Sequence, residues 1–392
     1  MSTAEKKRLR LAAFIYSGAQ TQIWRHPDMH AHESLDVEYY ISYAQLAESA
    51  KFDTLFLADG ASFPTGDLAK HLWSVSDFEP ATLFSAIAAR TKHIGLVYTA
   101  SVSDNEPTHV ARQLASLDHI SQGRAGWNVV TTPGPGSANL GVPAEETKDS
   151  AAKINQPLKV ERPIQGHPVI AQAGTSAEGI AFGGSTADLI YCANYSISDG
   201  QKTYRALKDA AKAAGRNPDH LVILTGMAVI WGATQEEAEK KLQEVTSLWP
   251  IQVAVKNLGI DFGDIDIDSP FPESWSATFS QGRSAAIASF AKANNLTMRQ
   301  TAERCSIGLG HRPLVGTTQS IADDLQAWLE QDATDGFAVI QPRLIDGLRE
   351  FSEHVIPELV KRGLFREEYE GRTLRENLGA PRPVNRHVVN NE

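Results

Sequence analysis

Polar side chains gather where short apolar runs of this sequence come to an end. LFLADG closes on Asp59, and YTASVSDNEPTH carries Thr99, Ser101, Ser103, Asp104 and Asn105. GWNVVTT holds Asn128 inside an otherwise apolar run, and QAGTSAEG presents Gln172, Gly174, Thr175 and Ser176; a further run stops at Gln341. These groups are mostly neutral donors and acceptors. Such a set suits a large planar polar ligand better than a general acid–base pair or a nucleophile with its base. A Gly-Thr-Ser turn running into a helix can also offer backbone N–H groups and hydroxyls to a phosphate. Each residue has a plainer reading as well. Asp59 before Gly60 serves as a turn residue, Asn128 as a satisfied core amide, Ser101 and Ser103 as solvated hydroxyls, and Ser176 as a helix cap.

Other chemistry is poorly supported. His26, His30 and His32 have no carboxylate or cysteine at ligand spacing, and Pro27 intervenes, so no metal site is expected. His109, His119 and His311 read as partners of helix or loop hydrogen bonds. Trp24, Trp73, Trp127 and Trp231 read as core or pocket lining. There is no Walker motif and no G-x-G-x-x-G after a strand, which argues against an ordinary NADH site. No general base is identified.

The elements that must position these residues alternate along the chain. Strands are expected at Leu11–Tyr16, Thr54–Ala58, Ile94–Tyr98, Ala125–Val130, Pro168–Gln172, Asp188–Cys192, Val222–Ile230 and Gly336–Gln341. They are short, apolar and uninterrupted, as strands covered on both faces must be. Helical patterns lie between them, over 35–49, 80–90, 107–120, 200–214, 235–247, 320–330 and 348–362, two of them opened by Pro80 and Pro107. Eight strands with helices between them is the count for a TIM barrel, with polar strand ends at its C-terminal mouth. A doubly wound sheet is the structural alternative. Residues 250–298 read as an insertion between the seventh and eighth strands. Residues 366–392 read as a polar tail that wraps the surface or fades out. The whole of 1–392 is thus one barrel domain.

The net charge of −10 argues against a nucleic-acid partner, which would require a basic footprint. Two cysteines, Cys192 and Cys305, are no disulfide framework and fit a reducing cytoplasm. No apolar stretch is long enough for a membrane span.

Several long stretches together resemble a known family. KFDTLFLADG, EPATLFSAIAARTKHIGLVYTASVSDNEPTHVARQLASLDHISQGRAGWNVVTT, ERPIQGHPVIAQAGTSAEG, GHRPLVGTTQSIADDL and VIPELVKRGLFREEYEGRTLRENLG occur in the family's order. They are similar to the nitrilotriacetate and dibenzothiophene-sulfone monooxygenase subfamily of bacterial-luciferase-like enzymes. The resemblance implies an α/β TIM barrel with insertions and a two-component FMN-dependent monooxygenase. Reduced FMN would come from a separate NAD(P)H:FMN reductase. A flavin peroxide formed with O2 would oxidise a small organic substrate at a carbon beside nitrogen or sulfur. Carried over, Asp59 and Ser103 contact the flavin, Asn128 lies against its ring, and Thr175 and Ser176 hold its phosphate. A homodimer or homotetramer is implied too.

One departure stands out. After Asn139-Leu140-Gly141 the family carries a His-x-x-x-Tyr element that touches the flavin, whereas here AEETKDSAAKINQPLKVERP follows at once. Either the segment is deleted, weakening flavin binding, or it is missing from the sequence as read, between about Gly141 and Gln156. Deletion would leave a barrel face uncovered and its apolar groups wet, which favours the second account. Two other functions remain open at this point: a deazaflavin-dependent oxidoreductase on the same barrel, and a non-catalytic flavin-binding protein.

Overall fold

Runs of four to ten apolar residues become strands here because both of their faces are covered by protein. The computed structural model describes residues 7–16, 25–26, 35–59, 78–103, 105–131, 158–248, 250–261, 266–277, 281–308 and 310–385. In chain order these form β1 (Arg10–Ile15), α1 (Val37–Ser49), β2 (Thr54–Leu57), α2 (Pro80–Ala88), β3 (Gly95–Ser101), α3 (Pro107–Ile120), β4 (Ala125–Val130) and β5 (Val169–Gln172). Next come α4 (Ala177–Thr186), β6 (Leu189–Cys192), α5 (Ile197–Ala213), β7 (Val222–Trp231) and α6 (Gln235–Ser247). The segment expected as an insertion contributes α7 (Ile251–Asn257), β8 (Ile260–Asp261), β9 (Ser276–Ala277) and α8 (Gln281–Ala293). The chain then returns through α9 (Met298–Ser306), β10 (Arg312–Gly316), α10 (Thr318–Glu330), β11 (Gly336–Ile340), α11 (Leu344–Glu350), α12 (Ile356–Lys361) and α13 (Leu374–Asn377).

Strands β1 to β6 pair in sequence order, β6 pairs with β7, β7 with β11, and β11 with β1, all in parallel. That circuit closes an eight-stranded barrel, and the doubly wound alternative falls. The sequence reading missed β10, which pairs alongside the later half of β7. The reading also ended the long C-terminal helix as one piece. It contains a π-helical turn over Phe351–Val355, just ahead of Pro357, whose missing N–H and bulky ring disturb the ladder.

Alternation along the strands divides the core in two. Ala12, Phe14, Phe56, Val97, Val169, Ala171, Leu189 and Leu224 fill the barrel interior. Leu11, Ala13, Leu55, Leu57, Leu96 and Ala125 face the helices outside. Helix starts are fixed locally. The Glu79 carboxylate accepts from the Ala81 and Thr82 amides at 3.0 and 2.7 Å ahead of α2, and Thr317 and Ser320 form a capping box ahead of α10. The small elements of the insertion pack on a core of their own, with Val253, Ala254, Ile287, Ala291 and Met298 at its centre.

The tail behaves otherwise than its composition suggests. Arg366, Leu374, Arg375 and Asn377 are buried. Leu374 joins the interior cluster so closely that a Cβ on Gly95 would lie 2.5 Å from its Cδ1. Arg366 donates to the Asp53 carboxylate, whose other oxygen accepts from the Leu11 amide at 2.7 Å. Arg375 grips Asp188 with both terminal nitrogens at 2.8 Å. Asp53 and Asp188 precede β2 and β6, so the tail closes the N-terminal end of the barrel. Residues 386–392 lie outside the described residues.

Removing one arm of such a pair strands a buried charge, at a cost of about 3–5 kcal/mol. Arg375→Met should therefore lower the urea midpoint strongly. Asp188→Asn combined with Arg375→Met should recover part of the loss, because the carboxylate left with only the Arg216 guanidinium, 3.8 Å away, is gone. Equal midpoints for wild type and the single variant would show that the pair contributes nothing.

Candidate functional site

With the N-terminal end sealed, the barrel is open for chemistry at the C-terminal ends of its strands. The structure brings the expected residues to that end. Asp59 is exposed two residues beyond β2, and Ser103 sits in the turn after β3, its amide donating to Ser101 Oγ at 3.1 Å. Asp104 lies outside the described residues. Thr175 and Ser176 are exposed between β5 and α4. Asn128 is 3% exposed and shares the interior face of β4 with Gly126.

Asn128 carries the clearest sign of a ligand. Its Nδ2 donates to Thr99 Oγ1 of β3 at 2.9 Å, and its Oδ1 has no protein partner. A buried amide oxygen left unpaired costs free energy unless something donates to it. The plain reading of Asn128 as a satisfied core amide therefore covers only half of the side chain.

The turn before α4 is shaped for close approach. Ser176 caps the helix, its Oγ accepting from the Gly179 amide at 3.1 Å. A Cβ on Gly174 would collide with the Gln172 amide, and one on Gly179 would lie 2.8 Å from the Gly174 carbonyl carbon. Both glycines let the turn fold onto the helix start, leaving Thr175, Ser176 and the first amides at the surface. The positive end of the helix dipole and two hydroxyls form a suitable cradle for an anion. Among the described residues no three His, Cys, Asp or Glu side chains converge as a metal set. Of the histidines first weighed for a metal, His30 and His32 lie outside the described residues.

Aromatic rings fill the space beneath. Phe14 and Phe56 have ring centroids 4.8 Å apart, and Phe56 and Tyr191 4.2 Å. The Tyr16 hydroxyl donates to the Gln341 carbonyl at 2.7 Å. Burial pushes the Tyr16 and Tyr191 phenols well up, so both stay protonated. The sequence reading named neither Phe14 nor Tyr191, since apolar alternation marks them only as core. It read His311 as a partner of helix or loop hydrogen bonds, which its backbone makes with Gly308 and Tyr195, while its ring lies against the barrel interior, over Gly226.

The Cys192 thiol is no nucleophile. It is buried, receives the Asn194 amide at 3.2 Å, and is pushed up to about 12 by burial.

Comparison with known proteins agrees with this geometry. The family model described as luciferase-like monooxygenase matches residues 21–152 and 150–335. The chain belongs to that family. It is 34% identical over 442 aligned positions to N-acetyl-S-(2-succino)cysteine monooxygenase of Bacillus subtilis (strain 168), covering 98% of this chain and 100% of the relative. It is 36% identical to nitrilotriacetate monooxygenase component A of Aminobacter aminovorans, over 95% of this chain and 96% of the relative. Among solved structures, a riboflavin lyase with modified FMN and riboflavin superposes with a TM-score of 0.78 at 31% identity, over 97% of this chain and 98% of the other. The resemblance read from the sequence is borne out, as are the barrel and the monooxygenase activity.

The alignment of 442 positions exceeds the 392 residues of the chain, so gaps open on this chain's side. The family match itself divides at residues 150–152. The stretch from Gly141 to Gln156 lies outside the described residues. The outer face of β4 and β5 borders an apolar cavity of about 350 Å³, lined by Val110, Leu114, Trp127, Leu158 and Ile170. Among the described residues no helix is long and apolar enough to cross a membrane.

The raised Cys192 thiol yields a direct test. Native protein treated with iodoacetamide at pH 8 should leave Cys192 unmodified, while urea-unfolded protein should react at the rate of an ordinary thiol. Rapid modification of Cys192 in the native state, read by peptide mass, would reverse the assignment.

Proposed function

We propose that this chain is the oxygenating component of a two-component monooxygenase. It would bind reduced FMN delivered by a separate NAD(P)H:FMN reductase and use O2 to oxidise a small organic substrate of the C–N or C–S class. The observation that carries the reading is the buried Asn128 Oδ1, unpaired inside the barrel mouth of a family member. A flavin ring edge offers N–H donors to such an acceptor. The phosphate would lie on Thr175, Ser176 and the start of α4, and Asp59 and Ser103 would flank the ring from the β2 and β3 ends. Support for FMN comes from the riboflavin lyase structure, which holds a modified FMN. Support for a second protein comes from the relative named component A.

When bound, the reduced flavin supplies the electrons that activate oxygen. The chain's own part is to hold the ring still and keep bulk water out. The interior rings Phe14, Phe56 and Tyr191 form a dry, rigid wall for that purpose. The protonated phenols of Tyr16 and Tyr191 add no charge to it. We place the protein in the cytoplasm, where a nicotinamide-fed reductase works and where the buried thiols Cys192 and Cys305, neither in a disulfide, stay reduced. Assembly as a homodimer or homotetramer is part of the same reading.

Two measurements test it. Anaerobic titration should give tight binding of reduced FMN, and Ser176→Ala should weaken it roughly tenfold, the equivalent of one hydrogen bond to a charged group. Unchanged affinity would remove the phosphate assignment. A substrate screen with reduced FMN and O2 should yield a product heavier by one oxygen atom. Binding of a deazaflavin in place of FMN, read from absorbance spectra, would transfer the chain to the oxidoreductase alternative.

A further inference from the structure

The unpaired oxygen of Asn128 belongs to a layer of the barrel whose register runs from strand to strand. Thr99 of β3 pairs with Asn128 of β4, and Asn128 pairs with Ala171 of β5. The layer below runs from Phe56 through Val97 and Gly126 to Val169. Phe56, Val97 and Val169 lie in the interior cluster, so Thr99, Asn128 and Ala171, two residues on, share the inward face. That lower layer is closed: a Cβ on Gly126 would lie 2.7 Å from Val97 Cγ2. Its side chains are apolar and offer no donor to the amide above. Ala171 on one flank offers none either. On the other flank Ala58 follows the last pair of β2, Leu57 with Tyr98, and is exposed. The layer thus stands at the edge of the open mouth.

Thr99 and Asn128 are both buried there. The Asn128 Nδ2 donates to Thr99 Oγ1 at 2.9 Å, which leaves Oδ1 as the free end of the amide. A hydroxyl that accepts through its oxygen still has its own proton to give. Among the described residues Asn128 is the one hydrogen-bond partner of that hydroxyl. The couple therefore shows an acceptor and a donor side by side, both sheltered from bulk water. Leaving them unmet is costly. Shape alone does not call for threonine, since valine has the same branched outline without the hydroxyl. The layer is built for a ligand edge that carries an N–H next to an acceptor.

We propose that Thr99 is a positioning residue of the flavin site: its hydroxyl holds the Asn128 amide with the oxygen toward the ligand and lends its own proton to the same ring edge. The inference rests on the flavin reading above. The polar edge of a flavin alternates N–H groups with acceptors, which is the pattern this couple complements. The last torsion of an asparagine is broad and roughly two-fold, so an amide without a partner turns easily. Without the Thr99 hydroxyl, Asn128 would present nitrogen as readily as oxygen, and a ring N–H would meet a donor part of the time. Thr99 acts through Asn128 and carries no covalent step.

The test titrates reduced FMN, anaerobically, into wild type, Thr99→Val, Thr99→Ser, Asn128→Ala and the Thr99→Val/Asn128→Ala double variant. Thr99→Val should weaken binding by about three- to tenfold, the span expected for one hydrogen bond. Thr99→Ser keeps the hydroxyl and should restore most of the loss. On the Asn128→Ala background Thr99→Val should cost less than it does alone, as two residues acting as a unit require. A readout in wild type avoids reliance on the folding of Thr99→Val. With 13Cγ-labelled asparagine, the Asn128 signal, assigned by its absence from Asn128→Ala, should shift when FMN binds and Oδ1 gains a donor. Valine equal to wild type, serine no better than valine, full additivity in the double variant, or an unmoved Asn128 signal with FMN bound would each overturn this proposal and leave the flavin reading intact. Failure of wild type to bind FMN in either redox state would overturn both.

Discussion

A closed parallel barrel has two open ends, and a ligand site needs one of them shut. Here the closure depends on two buried carboxylates, Asp53 and Asp188, each at the entrance of a strand. Neither charge is tolerable alone in that position. Asp53 satisfies the Leu11 amide and receives Arg366, and Asp188 satisfies the Ile170 amide and receives Arg375. The two arginines arrive on the same terminal segment, which also carries Leu374 and Leu378 into the interior cluster. Electrostatic need therefore positions an apolar plug, and the plug keeps water out of the end opposite the site.

That arrangement explains how a mouth lined largely by neutral groups can recognise a charged, redox-active ligand. Charge within the barrel wall is spent on sealing its base. At the mouth the protein presents an unpaired amide oxygen on Asn128, hydroxyls on Thr99, Thr175 and Ser176, and a helix start. Each is a partner for polar edges that water would otherwise solvate. The aromatic interior supplies shape and dryness.

The barrel was legible because its strands are short apolar runs spaced by amphipathic helices, a pattern that survives without knowledge of tertiary contacts. The strand ends were legible for the same reason: a polar residue at the end of such a run is conspicuous. β10 was not, because Pro313 interrupts it; pairing with β7 alone leaves an edge that tolerates a residue without an N–H. The tail misled because Arg366 and Arg375 look like surface residues until Asp53 and Asp188 are brought to them by distant strands. His311 was hidden likewise. Its direction is set by the absence of a side chain at Gly226, and no local pattern records that dependence.

Alternation along β4 and β5 sets their inner and outer faces apart. Trp127 and Ile170 point outward and line the apolar cavity, while their neighbours Asn128 and Ala171 point inward and pair directly across the two strands. The ladder between β4 and β5 continues beside the cavity, and the Trp127 indole N–H is satisfied by the Ala100 carbonyl at 2.9 Å. What packs on the outer face does not turn the inward row of side chains, because the pleat fixes each residue's face independently. The polar set at the mouth thus stands on an inner wall fixed by the strands themselves.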